Sequence, residues 1–209
     1  MDVILHDISK RYGGKSVLNK LNLVLNFGKC YAIVGASGIG KTTVLRLIAG
    51  LESADSGSLE IPENATVSYA FQEPRLFPEL TVTENIKAVN PDRDVAPILE
   101  VLDLSMEADS LPSTLSGGMK LRAGLSRALA KKAAIYLIDE PTGGQDARHS
   151  AGITEAIRHY TEGSLCILST HDPSLISALA DEMIMLSPEG AIVSCVGGKT
   201  ADEILQMMQ

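Results

Sequence analysis

The chain has 209 residues, 45% of them hydrophobic and 21% charged, the composition of one ordinary globular unit with enough apolar side chain for a real core. Its 18 Lys and Arg against 26 Asp and Glu leave a formal charge of -8, which offers a phosphate backbone or an anionic lipid surface no general attraction and argues against nucleic acid as a partner. The longest uninterrupted apolar run, "AAIYLI" at 133–138, is far short of the roughly 18 residues of a membrane-spanning helix, and Asp2 and His6 spoil a signal-peptide reading of the start.

In chain order, "VILHDI" (3–8) and "LNLVL" (21–25) have strand character, and "KRYGGKS" (10–16) between them reads as a turn that joins two strands antiparallel. "CYAIVG" (30–35) is a buried strand, followed by the helix-like "KTTVLRLIAGL". After the strand "TVSYAF" (66–71), the stretch 73–119 is broken by Pro74, Pro78, Pro91, Pro97 and Pro112 into short amphipathic pieces such as "VTENIKAV" and "VAPILEVLDL", which predicts a small helical insertion. Then come a helix in "MKLRAGLSRALAKK", a strand in "AIYLID" (134–139), a helix in "DARHSAGITEAIRHY" and a strand in "LCILST" (165–170). After "DEMIML", a turn and last strand are expected in "SPEGAIVSCVGG" and a short helix in "TADEILQMMQ", with Met207 and Met208 on its apolar face. Short buried strands alternating with helices predict an α/β fold with a mainly parallel sheet. Cys30, Cys166 and Cys195 are odd in number and flanked by apolar residues with no C-x-x-C pair, so all three are expected to be reduced core residues.

The chemistry begins at "GASGIGKTT" (35–43), between a buried strand and a helix. Gly35, Gly40, Lys41 and Thr42 fit G-x-x-x-x-G-K-[ST] in the context that motif requires. Glycines let the backbone of Gly35, Ala36, Ser37, Gly38, Ile39 and Gly40 curl until successive amides face one anion. The start of the following helix, through Thr43, adds its dipole and unpaired N–H groups. Lys41 supplies a point charge for the β- and γ-phosphates of a nucleotide, and the Thr42 hydroxyl a hard ligand for Mg2+.

A second site lies at the end of "AIYLIDE", where Asp139 and Glu140 leave an apolar strand. A carboxylate there needs a cation or a hydrogen-bond donor. In a protein with such a phosphate loop the first acid is placed for the Mg2+ shell, and the second can orient or deprotonate an attacking water. Glu140 taken alone reads equally well as a loop or helix-cap acid. "TLSGGMKLRAGLSRALA" (114–130) adds a second loop, Leu115 to Gly118, that can present amides and a hydroxyl to an anion ahead of a helix.

With that stretch the sequence resembles the ATP-binding subunits of ABC transporters, whose signature reads L-S-G-G-Q, and the resemblance runs over nearly the whole chain in the family's order. It implies a P-loop NTPase (RecA-like) core at 1–72 and about 130–209, an antiparallel N-terminal β-subdomain, and a helical subdomain with the signature at about 73–129, all within one ATP-binding domain. It implies ATP and Mg2+ as cofactors, an adenine-stacking role for Tyr12, a Q-loop glutamine at Gln72 that touches metal and water, a switch histidine at His171 that bonds the γ-phosphate, and Asp146 at the end of the D-loop. Ser116, Gly117 and Gly118 of one copy complete the phosphate site of another, so a head-to-tail homodimer burying two ATP molecules is implied. Hydrolysis reopens the pair and drives alternating access of separate transmembrane permease subunits, docked near Gln72 and the helical subdomain on the cytoplasmic face of the membrane. An importer, with a solute-binding protein in the full complex, fits better than an exporter. His6, His149 and His159 match no motif.

Two residues depart from the family's pattern. Met119 replaces the signature's last glutamine, a variant similar to nitrate, sulfonate and taurine importer ATPases. "GGQD" (143–146) stands where S-A-L-D or S-G-L-D is common, so Gly143 lacks a hydroxyl that ties the D-loop to the facing site. A chromosome or repair ATPase of the same superfamily would need a long coiled coil between Gln72 and Ser116, for which there is no room. A nucleotide kinase would lack the Ser-Gly-Gly loop and the histidine after a strand.

Overall fold

The structure, a computed structural model, describes residues 2–208. Strands β1 (Asp2–Tyr12) and β2 (Lys15–Asn26) turn one apolar face inward, with Val3, Leu5 and Ile8 buried from the first and Leu18, Leu21, Leu23 and Leu25 from the second. They pair antiparallel through the expected turn, where Gly13 and Gly14 take φ of 55° and 84°, the left-handed values a two-residue hairpin loop needs. An unanticipated strand, β4 (Ser56–Glu60), pairs with the other edge of β1, giving a separate antiparallel sheet in the order β2-β1-β4.

The main sheet comprises β3 (Cys30–Val34), β5 (Val67–Ala70), β6 (Ile135–Asp139), β7 (Leu165–Ser169), β8 (Glu182–Ser187) and β9 (Gly190–Cys195), in the order β5-β6-β7-β3-β8-β9. Every neighbouring pair is parallel except β8 with β9. Its central strands are buried on both faces, and alternate residues serve two cores. Ala32, Val34, Tyr136, Ile138, Cys166 and Leu168 face one cluster, whereas Tyr31, Ile33, Ile135, Leu137, Leu165 and Ile167 face the other. This is the near-continuous apolar strand that a covered parallel sheet requires.

Helix α1 (Lys41–Ile48) packs in the second cluster with the antiparallel sheet, through Val44, Leu45, Leu47 and Ile48. Between β5 and β6 there are only helices: α2 (Val82–Lys87), α3 (Ala96–Val101), two 3-10 turns and α4 (Gly117–Ala130). Their apolar residues share the first cluster with one face of the sheet. A capping box of Thr81 and Glu84 starts α2. Helices α5 (Ala147–Thr161), α6 (Pro173–Leu179) and α7 (Ala201–Met207) complete the same layer. Gln209, the last residue of the expected terminal helix, lies outside the described residues; Met207 and Met208 pack against the core as expected.

The expectation for the cysteines needs one correction. Cys166 is buried and Cys30 half-buried, but Cys195 is exposed, because β9 is an edge strand with only one neighbour and little cover.

Ile157 is fully buried in the first cluster and, with Gly28, Gly163 and Asp181, lines a cavity at the starts of β3, β7 and β8. Ile157→Ala is expected to lower unfolding free energy by ~2–5 kcal/mol, read as a reduced urea midpoint with unchanged nucleotide affinity.

Candidate functional site

In a parallel sheet the loops that leave the carboxyl ends of neighbouring strands converge at one edge. Here β3 leads into residues 35–40, β6 ends on Asp139, and β7 is followed by Thr170 and His171. β7 hydrogen-bonds to both β3 and β6, so three chemically loaded chain segments meet at one place.

The loop from β3 to α1 is curled, and two of its glycines are required by space as well as by angle. Gly35 has φ 143°, and a Cβ there would lie 2.8 Å from the Leu186 carbonyl oxygen. Gly40, the residue preceding α1, has φ 117°, and a Cβ would press on Leu18 and Val17 at 2.8 and 3.0 Å. The first amides of α1 have no carbonyl ahead of them in the helix, and Lys41, Thr42 and Thr43 line the adjoining cavity. Lys41 folds back over the loop, donating from Nζ to the carbonyl oxygens of Gly35 at 2.9 Å and Ala36 at 3.4 Å.

One cavity of about 330 Å³ is lined by Tyr12, Val17, Ser37, Gly38, Gly40, Lys41, Thr42, Thr43, Gln72, Asp139 and Glu140. Most of the expected site residues therefore share it. Gly35, Ala36 and Ile39 belong to the loop's wall behind it, and Ile39 packs with the apolar core. Tyr12 is 43% exposed, and its hydroxyl donates to Glu52, which holds the ring at the rim.

Asp139 is only 4% exposed and is satisfied by neutral donors: the Ser169 hydroxyl on one carboxylate oxygen and the Tyr69 hydroxyl, at 3.3 Å, on the other. Burial first, and then the Asp139 charge, push the Tyr69 phenol well above its usual range, so Tyr69 stays a donor. Neither Tyr69 nor Ser169 was anticipated. The signal for Ser169 is a polar residue in the buried β7, but its pairing opposite Asp139 depends on strand register.

Glu140 has φ 50°, a left-handed conformation that costs a non-glycine residue about 1–3 kcal/mol and clusters at functional sites. Its amide donates to the Ser169 carbonyl at 3.0 Å, fixing the turn. Its Oε2 lies 2.9 Å from His171 Nδ1. The Glu140 side chain is 15% exposed and that of His171 is 78% exposed, so the acid is sheltered while the imidazole stands free.

The turn before α4 lies elsewhere. Ser116 and Gly118 line a separate cavity of about 490 Å³ with Met119, Arg122, Gln145, Asp146 and His149 among its walls. The helix begins at Gly117, two residues earlier than the sequence suggests, because Ser116 is its N-cap and accepts from the Met119 amide at 3.2 Å. The Ser116 hydroxyl proton is left for another acceptor. Asp146 likewise caps α5, accepting from the His149 amide at 2.9 Å.

A parallel sheet with a Gly-rich phosphate loop and an acid pair at adjacent strand ends defines the class of P-loop nucleotide-binding proteins. The family model described as "ABC transporter" matches residues 18–143. An aliphatic sulfonates import ATP-binding protein of Yersinia pestis is 39% identical over 202 residues, covering 91% of this chain and 74% of that protein. A probable sulfate/thiosulfate import ATP-binding protein of Chlorella vulgaris is 34% identical over 206 residues, 89% of this chain and 87% of that protein. A solved ATP binding subunit of an ABC transporter superposes with a TM-score of 0.85 at 23% identity, over 100% of this chain and 99% of that one, which speaks for the fold. The chain belongs to the ABC transporter family, among its ATP-binding, ATP-hydrolysing subunits.

Proposed function

We propose that this chain is the ATPase of an importer, working on the cytoplasmic face of the membrane as a head-to-tail homodimer beneath separate permease subunits. The observation that carries this is the division of anion-binding elements between two cavities of one chain. The phosphate loop shares its cavity with Gln72, Asp139 and Glu140, whereas the Ser116 turn opens on another. The two cavities share no lining residue, and a two-fold arrangement lets each copy supply the half that the other lacks. Importers are favoured by the relatives, both named for import. No helix among the described residues is long and apolar enough to cross a membrane, which fits permeases on separate chains, docked near Gln72 and the helices between β5 and β6, with a solute-binding protein in the full complex.

Within the site, Lys41 exchanges the Gly35 and Ala36 carbonyls for the β- and γ-phosphates, and the loop amides of residues 35–43 hold the rest of the triphosphate. Tyr12 stacks on the adenine. The donors Thr42 Oγ1, Gln72 Oε1 and the Asp139 carboxylate are all hard oxygens, the set that suits Mg2+ while leaving places for phosphate and water. Bound there, Mg2+ would offset phosphate charge. Glu140 takes the proton of the attacking water, and His171 bonds the γ-phosphate. Ser116, Gly117 and Gly118 reach the γ-phosphate of the neighbouring copy.

Uptake of radiolabelled sulfonate or sulfate into cells carrying this chain with its permease tests the direction: uptake is expected to stop when Glu140 is replaced by Gln, and ATP-dependent efflux would overturn the importer reading. A second prediction concerns the base. Tyr12→Ala is expected to weaken ATP binding by roughly 1–2 kcal/mol, about tenfold, while binding of inorganic triphosphate is unchanged; calorimetric titration with both ligands separates the ring's contribution from that of the loop.

A further inference from the structure

Two buried side-chain nitrogens lack a hydrogen-bond partner among the described residues, Arg122 Nε and Gln145 Nε2, and they belong to one contact. Arg122, on the second turn of α4, is 4% exposed, and its Nη1 donates to Gln145 Oε1 at 2.8 Å. Among the described ion pairs none includes Arg122. A buried guanidinium is costly unless its N–H groups are held, and here the holder is a neutral amide. That amide comes from the one D-loop position where the family's usual S-A-L-D or S-G-L-D has leucine, which has no acceptor. It also lies against the signature turn, since a methyl at Gly118 would approach Gln145 Nε2 to 3.0 Å. The next residue is tied down as well: Asp146 contacts His149 Nδ1 at 2.8 Å, and His149 Nε2 lies 3.3 Å from Asp103, in the connection between α3 and α4.

We propose that Gln145 is a positioning residue of the ATPase cycle: its side-chain carbonyl fastens the loop 143–146 to the signature helix of the same chain through Arg122. The turn that carries Ser116 and Gly118 to the neighbouring copy's nucleotide then moves with the D-loop as one body. The inference rests on the dimeric reading above for its effect on turnover, while the tie itself exists within one chain.

The test compares the full-length protein with Gln145→Leu and Gln145→Glu, by steady-state ATP turnover and by amide hydrogen exchange without nucleotide. Gln145→Leu is expected to lower kcat about tenfold, the loss of one hydrogen bond to a charged group. KM for ATP should move less than about twofold, because the nucleotide is held by the other cavity. Exchange in segments 116–120 and 143–148 should rise together. Gln145→Glu keeps an oxygen facing the guanidinium and should restore kcat to within about threefold of the parent. Unchanged kcat and exchange in the Leu variant, or a Glu variant as slow as the Leu variant, would overturn the proposal. Should Gln145→Leu fail to fold, Gln145→Asn, one methylene too short to reach Arg122, is read in the same way. A parent protein that does not hydrolyse ATP would defeat the proposed function alone. The tie would then be judged by exchange, where loosening of only one of the two segments overturns it.

Discussion

Glu140→Gln is expected to lower ATP turnover by about 10²–10⁴-fold, the range for losing a positioned general base, and to leave ATP affinity intact. The substitution keeps the shape of the side chain, and the amide can still meet His171, so the geometry at the end of β6 should persist. Position 140 already holds a left-handed backbone, φ 50°, braced by its amide on the Ser169 carbonyl; glutamine inherits the same backbone strain and adds none. What disappears is the basic oxygen sheltered 2.9 Å from the imidazole. With hydrolysis blocked and binding retained, ATP should accumulate between two copies, so gel filtration with MgATP is expected to show a dimer for the variant where the parent returns to monomer. Turnover within about threefold of the parent would remove Glu140 from the chemistry and leave it a turn-forming acid.

The same acid illustrates what the sequence could and could not carry. Strand β3, the loop and α1 were legible because their requirements are local: an apolar run, glycines where φ is positive, one cation and a helix pattern, all within fourteen residues of chain numbered 30–43. The pair Asp139 and Glu140 was legible as acids stranded at the exit of a buried strand. Their partners were not, since Ser169 and Tyr69 reach Asp139 only through the register of β5, β6 and β7, which is a long-range property. Strand β4 escaped notice because "SGSLE" is short, polar and almost wholly exposed, and it exists by pairing with β1 rather than by its own pattern. Helix α6 carried a readable signal, Asp172 before Pro173, with Asp172 accepting from Ser174 and Leu175 as an N-cap. The exposure of Cys195 follows from strand order, because an apolar-flanked cysteine is buried in a central strand and bare at an edge. Gln145 showed in the sequence as a departure from the family, but its function as an acceptor for Arg122 could not, since the two residues lie on different elements and meet only in the folded chain.

Lys41→Ala is expected to weaken ATP binding by about 3 kcal/mol, roughly a hundredfold, the scale of one or two hydrogen bonds from a charged donor to phosphate. The fold has little stake in this side chain. Lys41 Nζ reaches only the carbonyls of Gly35 and Ala36 among the described hydrogen bonds, and a water can take its place on them once it is gone. The thermal midpoint should therefore move by no more than about 2 °C, and a larger drop would mean that the ammonium braces the loop itself. Arginine is the sharper control. It keeps the charge, but its planar fork is bulkier than an ammonium, in a loop where even a Cβ at Gly35 or Gly40 would meet Leu186, Leu18 or Val17. If charge alone mattered, Lys41→Arg would bind as well as the parent; the closeness of the loop walls predicts that it binds little better than the alanine variant. Undiminished affinity in Lys41→Ala would show that the backbone amides suffice without a cation, and the loop's one charged residue would then have to be explained by the transition state, through kcat rather than binding.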